Sequence, residues 1–166
     1  MNRLLRTLTH LSLPDWWLHR TLPRAALDRI ERAVADSEAR HGAEIRVVLE
    51  TGLGWLPLLK GQTARQRAEA LFATLRVWDT ELNNGVLIYL LLADHEFEIV
   101  ADRGVARAVG QDQWEALCRA MEAHFRAGRH EEALLHGIRE LGKRLEALYP
   151  RRADAANELP DRPLVL

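Results

Sequence analysis

Side chains that could bind a cation or a phosphate group flank the most apolar stretch of the chain. Asp79, Asn83 and Asn84 precede this stretch, and Asp102 and Arg103 follow it. The oxygen atoms of Asp and Asn side chains suit Mg²⁺ or Ca²⁺. The guanidinium group of Arg103 could hold a phosphate in fork geometry. We therefore predict a divalent-metal site formed by Asp79, Asn83, Asn84 and Asp102.

Two predicted strands bring these residues together. Residues 85–93 form a nearly continuous apolar run, which indicates a strand buried on both faces. Residues 96–101 alternate between apolar and polar side chains, the pattern of a strand with one face in the core. The short gap between the two runs predicts a β-hairpin. Antiparallel pairing places the start of one strand beside the end of the other.

A structural interpretation of the same residues stays open. Asn83 and Asn84 could satisfy the backbone of a turn, since Asn commonly does so. In that case Asp102 would cap a turn and pair with Arg103. The residue types alone do not decide between a binding site and a turn.

The rest of the chain predicts one strand and four helices around the hairpin. Residues 44–50 alternate, and the mostly polar second face predicts a strand less deeply covered than the one at 85–93. One helix follows Pro23, and another follows Thr63 with the capping-box spacing to Gln66. Two more follow Gly104, the first from about Gln111. This order predicts an α/β fold: a three-layer α/β/α sandwich with a small mixed sheet containing the hairpin.

We divide the chain into an amphipathic arm at 1–22, a folded domain at 23–150 and a flexible tail at 151–166. The arm either packs on the domain or anchors it to a membrane surface or partner, with Trp16 and Trp17 as interfacial side chains. Residues 51–62 form an unusually apolar loop. This loop either packs over the domain or forms a partner-binding flap.

Composition excludes several classes of protein. The 166 residues carry 23 Lys and Arg against 24 Asp and Glu, so we expect no nucleic-acid partner. No apolar run is long enough for a transmembrane segment, and His10, Asp15 and His19 interrupt any signal-peptide pattern. The single Cys118 excludes an intramolecular disulfide. These features predict a soluble cytoplasmic protein and specify no oligomeric state.

The hairpin sequence resembles the TPM domain family. The resemblance lies in Asn83-Asn84-Gly85 with the strand after it, in Asp94, and in residues 98–104, and it extends over about residues 25–150. The family includes thylakoid-lumen acid phosphatases, photosystem II repair proteins and a modulator of nicotinic receptors. The chain resembles a short, soluble bacterial branch, and it has Asp102-Arg103-Gly104 where secreted members often have Gly-Tyr-Gly.

The resemblance implies an α/β/α sandwich and two alternative functions. The first is an interaction or accessory module for a membrane-associated partner, which would place the protein in the cytoplasm, peripheral at the membrane. The second is a weak acid-phosphatase-like phosphomonoesterase that uses Ca²⁺ or Mg²⁺. In that case Asp102 and Arg103 are the expected catalytic residues.

Overall fold

The computed structural model describes residues 3–14, 16–151 and 156–166. Over these residues the chain forms eight α-helices and one four-stranded sheet. The helices are α1 (Arg3–Ser12), α2 (Trp16–Thr21), α3 (Arg24–Glu38), α4 (Trp55–Leu59), α5 (Ala64–Thr74), α6 (Arg103–Ala108), α7 (Gln111–Arg126) and α8 (His130–Leu148). The strands are β1 (Ile45–Glu50), β2 (Val86–Leu91), β3 (Glu96–Ala101) and β4 (Leu164–Val165). The predicted order of strands and helices is therefore present. Helices α1 and α2 of the arm, helices α4 and α6, and strand β4 are added to it.

The sheet is mixed, with the strand order β3-β2-β1-β4. β2 and β3 form the predicted antiparallel hairpin, in which Val86 pairs with Ala101. β1 runs parallel to β2, and α4 and α5 lie in the connection between them. The hairpin turn is a short 3-10 segment, Leu92–Asp94, followed by His95 in the left-handed region with φ 55°.

Helices cover both faces of the sheet, which confirms the predicted α/β/α sandwich. Alternate side chains of β1 and β2 enter two separate cores. The larger core lies between the sheet and helices α3, α7 and α8, and the smaller one lies beneath α5. All six residues of β2 are buried. This burial explains why the strand is apolar on both faces.

β1 differs from the sequence prediction, because all six of its residues are buried rather than half covered. The Arg46 guanidinium donates to the carbonyl oxygen of Pro160 at 2.7 Å. The Glu50 carboxylate accepts from Arg67 at 2.7 and 2.9 Å and from the Tyr89 hydroxyl at 2.6 Å. The polar face of the strand is buried because these partners, distant in the sequence, satisfy its charges.

The C-terminal residues 156–166 also differ from the expected flexible tail. Leu164 pairs with Val48 in parallel register, so β4 covers the open edge of β1. The Glu44 carboxylate accepts the backbone N–H groups of Glu158 and Leu159 at 3.1 and 2.9 Å. Residues 152–155 of the predicted tail lie outside the described residues. The described part of the tail therefore completes the sheet.

The predicted arm at 1–22 consists of two helices with different surroundings. Leu18 and Leu22, within and just after α2, are fully buried in the larger core. Trp17 packs partly against that core, whereas Trp16 is 58% exposed. In the ranges 3–14, 16–151 and 156–166, no helix has both the length and the apolar character needed to cross a membrane.

Candidate functional site

Asn84 and Asp102 lie at the same end of the hairpin, where β2 begins and β3 ends. The Asp102 N–H donates to the carbonyl oxygen of Gly85 at 2.9 Å, so the pairing of the hairpin continues past β3. The Asn84 N–H donates to the Thr80 hydroxyl at 3.0 Å, and its Nδ2 donates to the Gly42 carbonyl oxygen at 2.7 Å. Both Asn84 and Asp102 are buried. Two of the four predicted metal ligands are therefore buried at this end of the hairpin.

Each of these two side chains has one buried oxygen atom without a hydrogen-bond donor. Asp102 Oδ1 accepts the Arg103 N–H at 2.6 Å and so caps α6. Asp102 Oδ2 and Asn84 Oδ1 are the two buried side-chain atoms that lack a partner within the described part of the chain. An unsatisfied buried acceptor costs free energy. These two oxygens fit the hard-oxygen chemistry that Ca²⁺ and Mg²⁺ require.

The other predicted site residues lie at the surface of the same end of the hairpin. The Asp79 carboxylate is exposed and pairs with Arg76 at 2.7 Å. Asn83 is exposed and adopts a left-handed conformation with φ 51°. Arg103 is exposed at the first position of α6. Among the residues that the structure describes, no group of three or more His, Cys, Asp or Glu side chains is arranged to hold a metal ion.

Sequence reasoning missed two features of this end of the hairpin. The first is α6, a helix of six residues that begins at Arg103 directly after its N-cap Asp102. The second is Tyr149, whose hydroxyl oxygen would lie 2.5 Å from a Cβ atom placed on Gly104. Burial, and next the charge of Asp102, raise the pKa of the Tyr149 hydroxyl. No spacing rule connects Tyr149 to the hairpin, because α8 brings it there from more than 40 residues away.

A second candidate site lies at the opposite end of the hairpin, where α1 docks through polar side chains. The Arg6 guanidinium donates to both oxygens of the Asp94 carboxylate, with a shortest distance of 2.7 Å. The Leu53 N–H donates to His10 Nδ1 at 2.9 Å. His10 Nε2 therefore carries the proton and donates to Asp94 Oδ1 at 3.0 Å. The side chain of His10 is fully buried and that of Asp94 is 4% exposed.

This polar docking leaves the apolar face of α1 in solvent. Arg6 and His10 share one face, whereas Leu8 lies about 200° and Leu11 about 140° around the helix from Arg6. Leu8 and Leu11 are 58% and 57% exposed. An ordinary surface helix buries such residues. The usual orientation of an amphipathic helix is therefore reversed in α1.

The apolar loop at 51–62 extends this exposed surface. Leu53 and Leu58 pack into the smaller core, whereas Trp55, Leu56 and Leu59 of α4 are 59%, 51% and 74% exposed. α1 and α4 contact each other. We call the surface formed by Leu8, Leu11, Trp55, Leu56 and Leu59 the α1–α4 surface. One side of the loop packs over the domain, as one interpretation predicts, and its other side faces solvent.

The layered helices, the mixed sheet and the hairpin define an α/β/α-sandwich protein. Comparison with known families gives a match to the TPM domain over residues 19–144. The chain belongs to the TPM domain family, which confirms the resemblance seen in the hairpin sequence.

Two solved structures are similar to this chain. The NMR structure of the BA42 protein from the psychrophilic bacterium Bizionia argentinensis shares 30% identity, with a TM-score of 0.77. That alignment covers 87% of this chain and 95% of the other. The N-terminal domain of a P. gingivalis protein shares 17% identity, with a TM-score of 0.64, over 86% of this chain and 95% of that domain. This second likeness shows the fold alone. None of the curated proteins compared with the chain matches it.

Proposed function

We propose that the protein is an interaction module that docks on a membrane-associated partner through the α1–α4 surface. One observation carries the proposal: five large apolar side chains, all more than half exposed, lie on two helices that contact each other. Grouped apolar side chains on a protein surface mark sites of association with proteins or membranes. Trp and Leu side chains supply large apolar area in such contacts.

The docking of α1 supports this assignment. Its polar face is held by Asp94, and the N–H group of Leu53 holds His10 from the loop that leads to α4. These contacts orient the leucine face away from the domain before any partner binds. A surface that is already oriented binds with a smaller loss of conformational entropy.

The test is fractionation of cells that produce the full-length protein. We expect the wild type in the membrane fraction and the double variant Leu8→Ser, Leu11→Ser in the soluble fraction. The matched control is Leu148→Ser, a change of an exposed leucine on α8 that should leave the distribution unaltered. Point substitutions are preferable to removal of residues 1–22, because that deletion also removes the buried Leu18 and Leu22. A wild-type protein that stays soluble would contradict the proposal.

A weak divalent-metal-dependent phosphomonoesterase is the second candidate function. The unpartnered oxygens of Asn84 and Asp102 favour it, since these two side chains would hold the ion. A bound ion would act as a Lewis acid on a phosphoryl oxygen. Arg103, exposed beside them, could bind the phosphate group. Asp79 and Asn83 could add ligands at the surface of this site.

Thermal melts in millimolar Ca²⁺ or Mg²⁺ test this second function. A metal-ion concentration of about one hundred times the dissociation constant stabilises the folded state by about 2.7 kcal/mol. At roughly 2–4 °C per kcal/mol, the melting temperature should rise by about 5–10 °C. Asp102→Asn should abolish the rise, and metal-dependent turnover of an aryl phosphate should disappear with it. Asp79→Asn should reduce the rise only if that carboxylate contributes a ligand. No metal-dependent rise in the wild type would contradict the metal site.

A further inference from the structure

The segments that form the α1–α4 surface contain no carboxylate. The chain has 24 acidic residues, but none precedes Asp15 and none lies between Glu50 and Glu69. The same segments contain five basic residues: Arg3, Arg6, Lys60, Arg65 and Arg67. These two segments therefore contribute outward apolar side chains and basic side chains but no acidic ones.

Several of these cations are neutralised on the domain side. Asp94 pairs with Arg6 at 2.7 Å, and Glu50 pairs with Arg67 at 2.7 Å. Lys60 is different, because it is exposed directly after the most exposed leucine of α4. A positive charge at the border of an apolar surface is the arrangement of side chains that lie at a lipid headgroup layer.

We infer that the α1–α4 surface binds directly to the anionic lipid surface of a membrane. Trp55 and the exposed leucines insert at the level where headgroups meet acyl chains, and Lys60 faces the lipid phosphates. The inference rests on the proposed function, and it assigns the contact that brings the protein to the membrane to lipid rather than to a protein. A protein partner or a second copy of the chain would need apolar contact, but it would not need two segments free of carboxylates.

The way in which α1 docks permits this binding without rearrangement. Arg6 and His10 hold the helix from its polar face, so Leu8 and Leu11 can enter the bilayer interface while the contacts with Asp94 remain. Insertion of Trp and Leu side chains with a nearby cation is the usual basis of interfacial binding. Helix α1 therefore contacts the domain through its polar face and lipid through Leu8 and Leu11.

The experiment is flotation of the full-length protein with vesicles of phosphatidylcholine alone or with one third phosphatidylglycerol. We expect binding to the anionic vesicles, at least about tenfold weaker binding to the neutral ones, and weakening by salt. Trp55→Ala and Leu59→Ser should each weaken binding by about tenfold or more. Lys60→Gln should weaken it about fivefold. The matched controls Trp78→Ala and Leu148→Ser change exposed residues on other helices or loops and should bind like the wild type.

Three results would overturn the inference. The first is no flotation of the wild type with anionic vesicles. If the protein still fractionates with cell membranes, the proposed function stands and the partner is a protein. The second is equal loss of binding in the Trp55 and Trp78 variants. The third is a dimer in sedimentation that Leu59→Ser dissociates, with no vesicle binding, which would assign the surface to a second copy of the chain.

Discussion

Asp94→Asn should release α1 from the domain. The Asp94 carboxylate is the common acceptor for Arg6 and His10, the two side chains on the docked face of the helix. Leu8 and Leu11, the α1 leucines whose side chains the structure describes, are more than half exposed. Removing one charge of a buried pair leaves the others without compensation. The substitution therefore weakens the only strongly charged contact described between α1 and the sheet side of the molecule.

The pKa of Asp94 gives the magnitude of this loss of docking free energy. Burial alone would raise this pKa, but hydrogen bonds from His10 and Arg6 outweigh burial and lower it from the ordinary 3.8 to about 2. That difference corresponds to about 2 kcal/mol, or on the order of tens of fold in the docking equilibrium. Because the folded pKa is depressed, this stabilisation is present above pH 3.8 and is lost as the pH falls through about 2.

Amide hydrogen exchange of residues 3–12 measures this equilibrium. We expect Asp94→Asn to accelerate exchange in α1 by up to the order of tens of fold while the sheet is unaffected. The control is Asp79→Asn, which removes the exposed pair with Arg76 and should cost less than about 1 kcal/mol. Unchanged exchange of α1 in Asp94→Asn, or an equal effect in both variants, would refute the reasoning.

Two further predictions concern stability. Gly104→Ala should destabilise the fold by about 1–3 kcal/mol in a thermal melt, because the new Cβ would lie 2.6 Å from the Asn83 carbonyl oxygen and 2.5 Å from the Tyr149 hydroxyl. Gly110→Ala, where nothing lies within 4 Å and only the preference of the α7 N-cap for Gly over Ala is lost, should cost less than Gly104→Ala, and equal melting of both variants would contradict the packing argument. Burial raises the pKa of Glu38 to about 9, so stability should fall as pH rises from 4.5 through about 9. The free energy of unfolding of Glu38→Gln should therefore exceed that of the wild type by at least about 1 kcal/mol at pH 8. Near pH 4 the two should be equally stable. Parallel dependence of stability on pH in the two proteins would contradict this.

The hairpin could be predicted from sequence because its signals are local. The alternation over residues 96–101 matches β3 residue for residue, and the capping box of Thr63 and Gln66 begins α5 as expected. In both cases the neighbours in sequence are also the neighbours that decide the structure. The same holds for the long apolar stripes of α7 and α8.

The errors arose where the deciding partner is distant in sequence. Arg46 and Glu50 looked like the solvent face of a strand, but Pro160 and Arg67 bury them. The segment at 156–166 lacks periodicity because it docks through its backbone, and its strand is only two residues long. A local sequence pattern does not reveal such contacts between residues that are distant in the sequence.

The candidate site was predicted in part for the same reason. Hairpin register places Asn84 and Asp102 at the same end of the hairpin, with Asp102 opposite Gly85. Asp79 instead forms an ion pair with Arg76, three residues earlier, and the register of the hairpin does not determine this local pair. The exposed face of α1 could not be predicted either, since an amphipathic pattern does not reveal which face a distant Asp94 will hold.

Protection of a cysteine placed on the α1–α4 surface is the most direct measurement of where the protein binds. Leu59→Cys places a thiol on α4, and Leu82→Cys places one in the exposed loop two residues before Asn84. Burial raises the pKa of the native Cys118 to about 12 and keeps its thiol slow to react. In the presence of membranes, we predict slower labelling by a water-soluble thiol reagent at Leu59→Cys and unchanged labelling at Leu82→Cys. Protection of Leu82→Cys with unchanged labelling of Leu59→Cys would contradict docking through the α1–α4 surface.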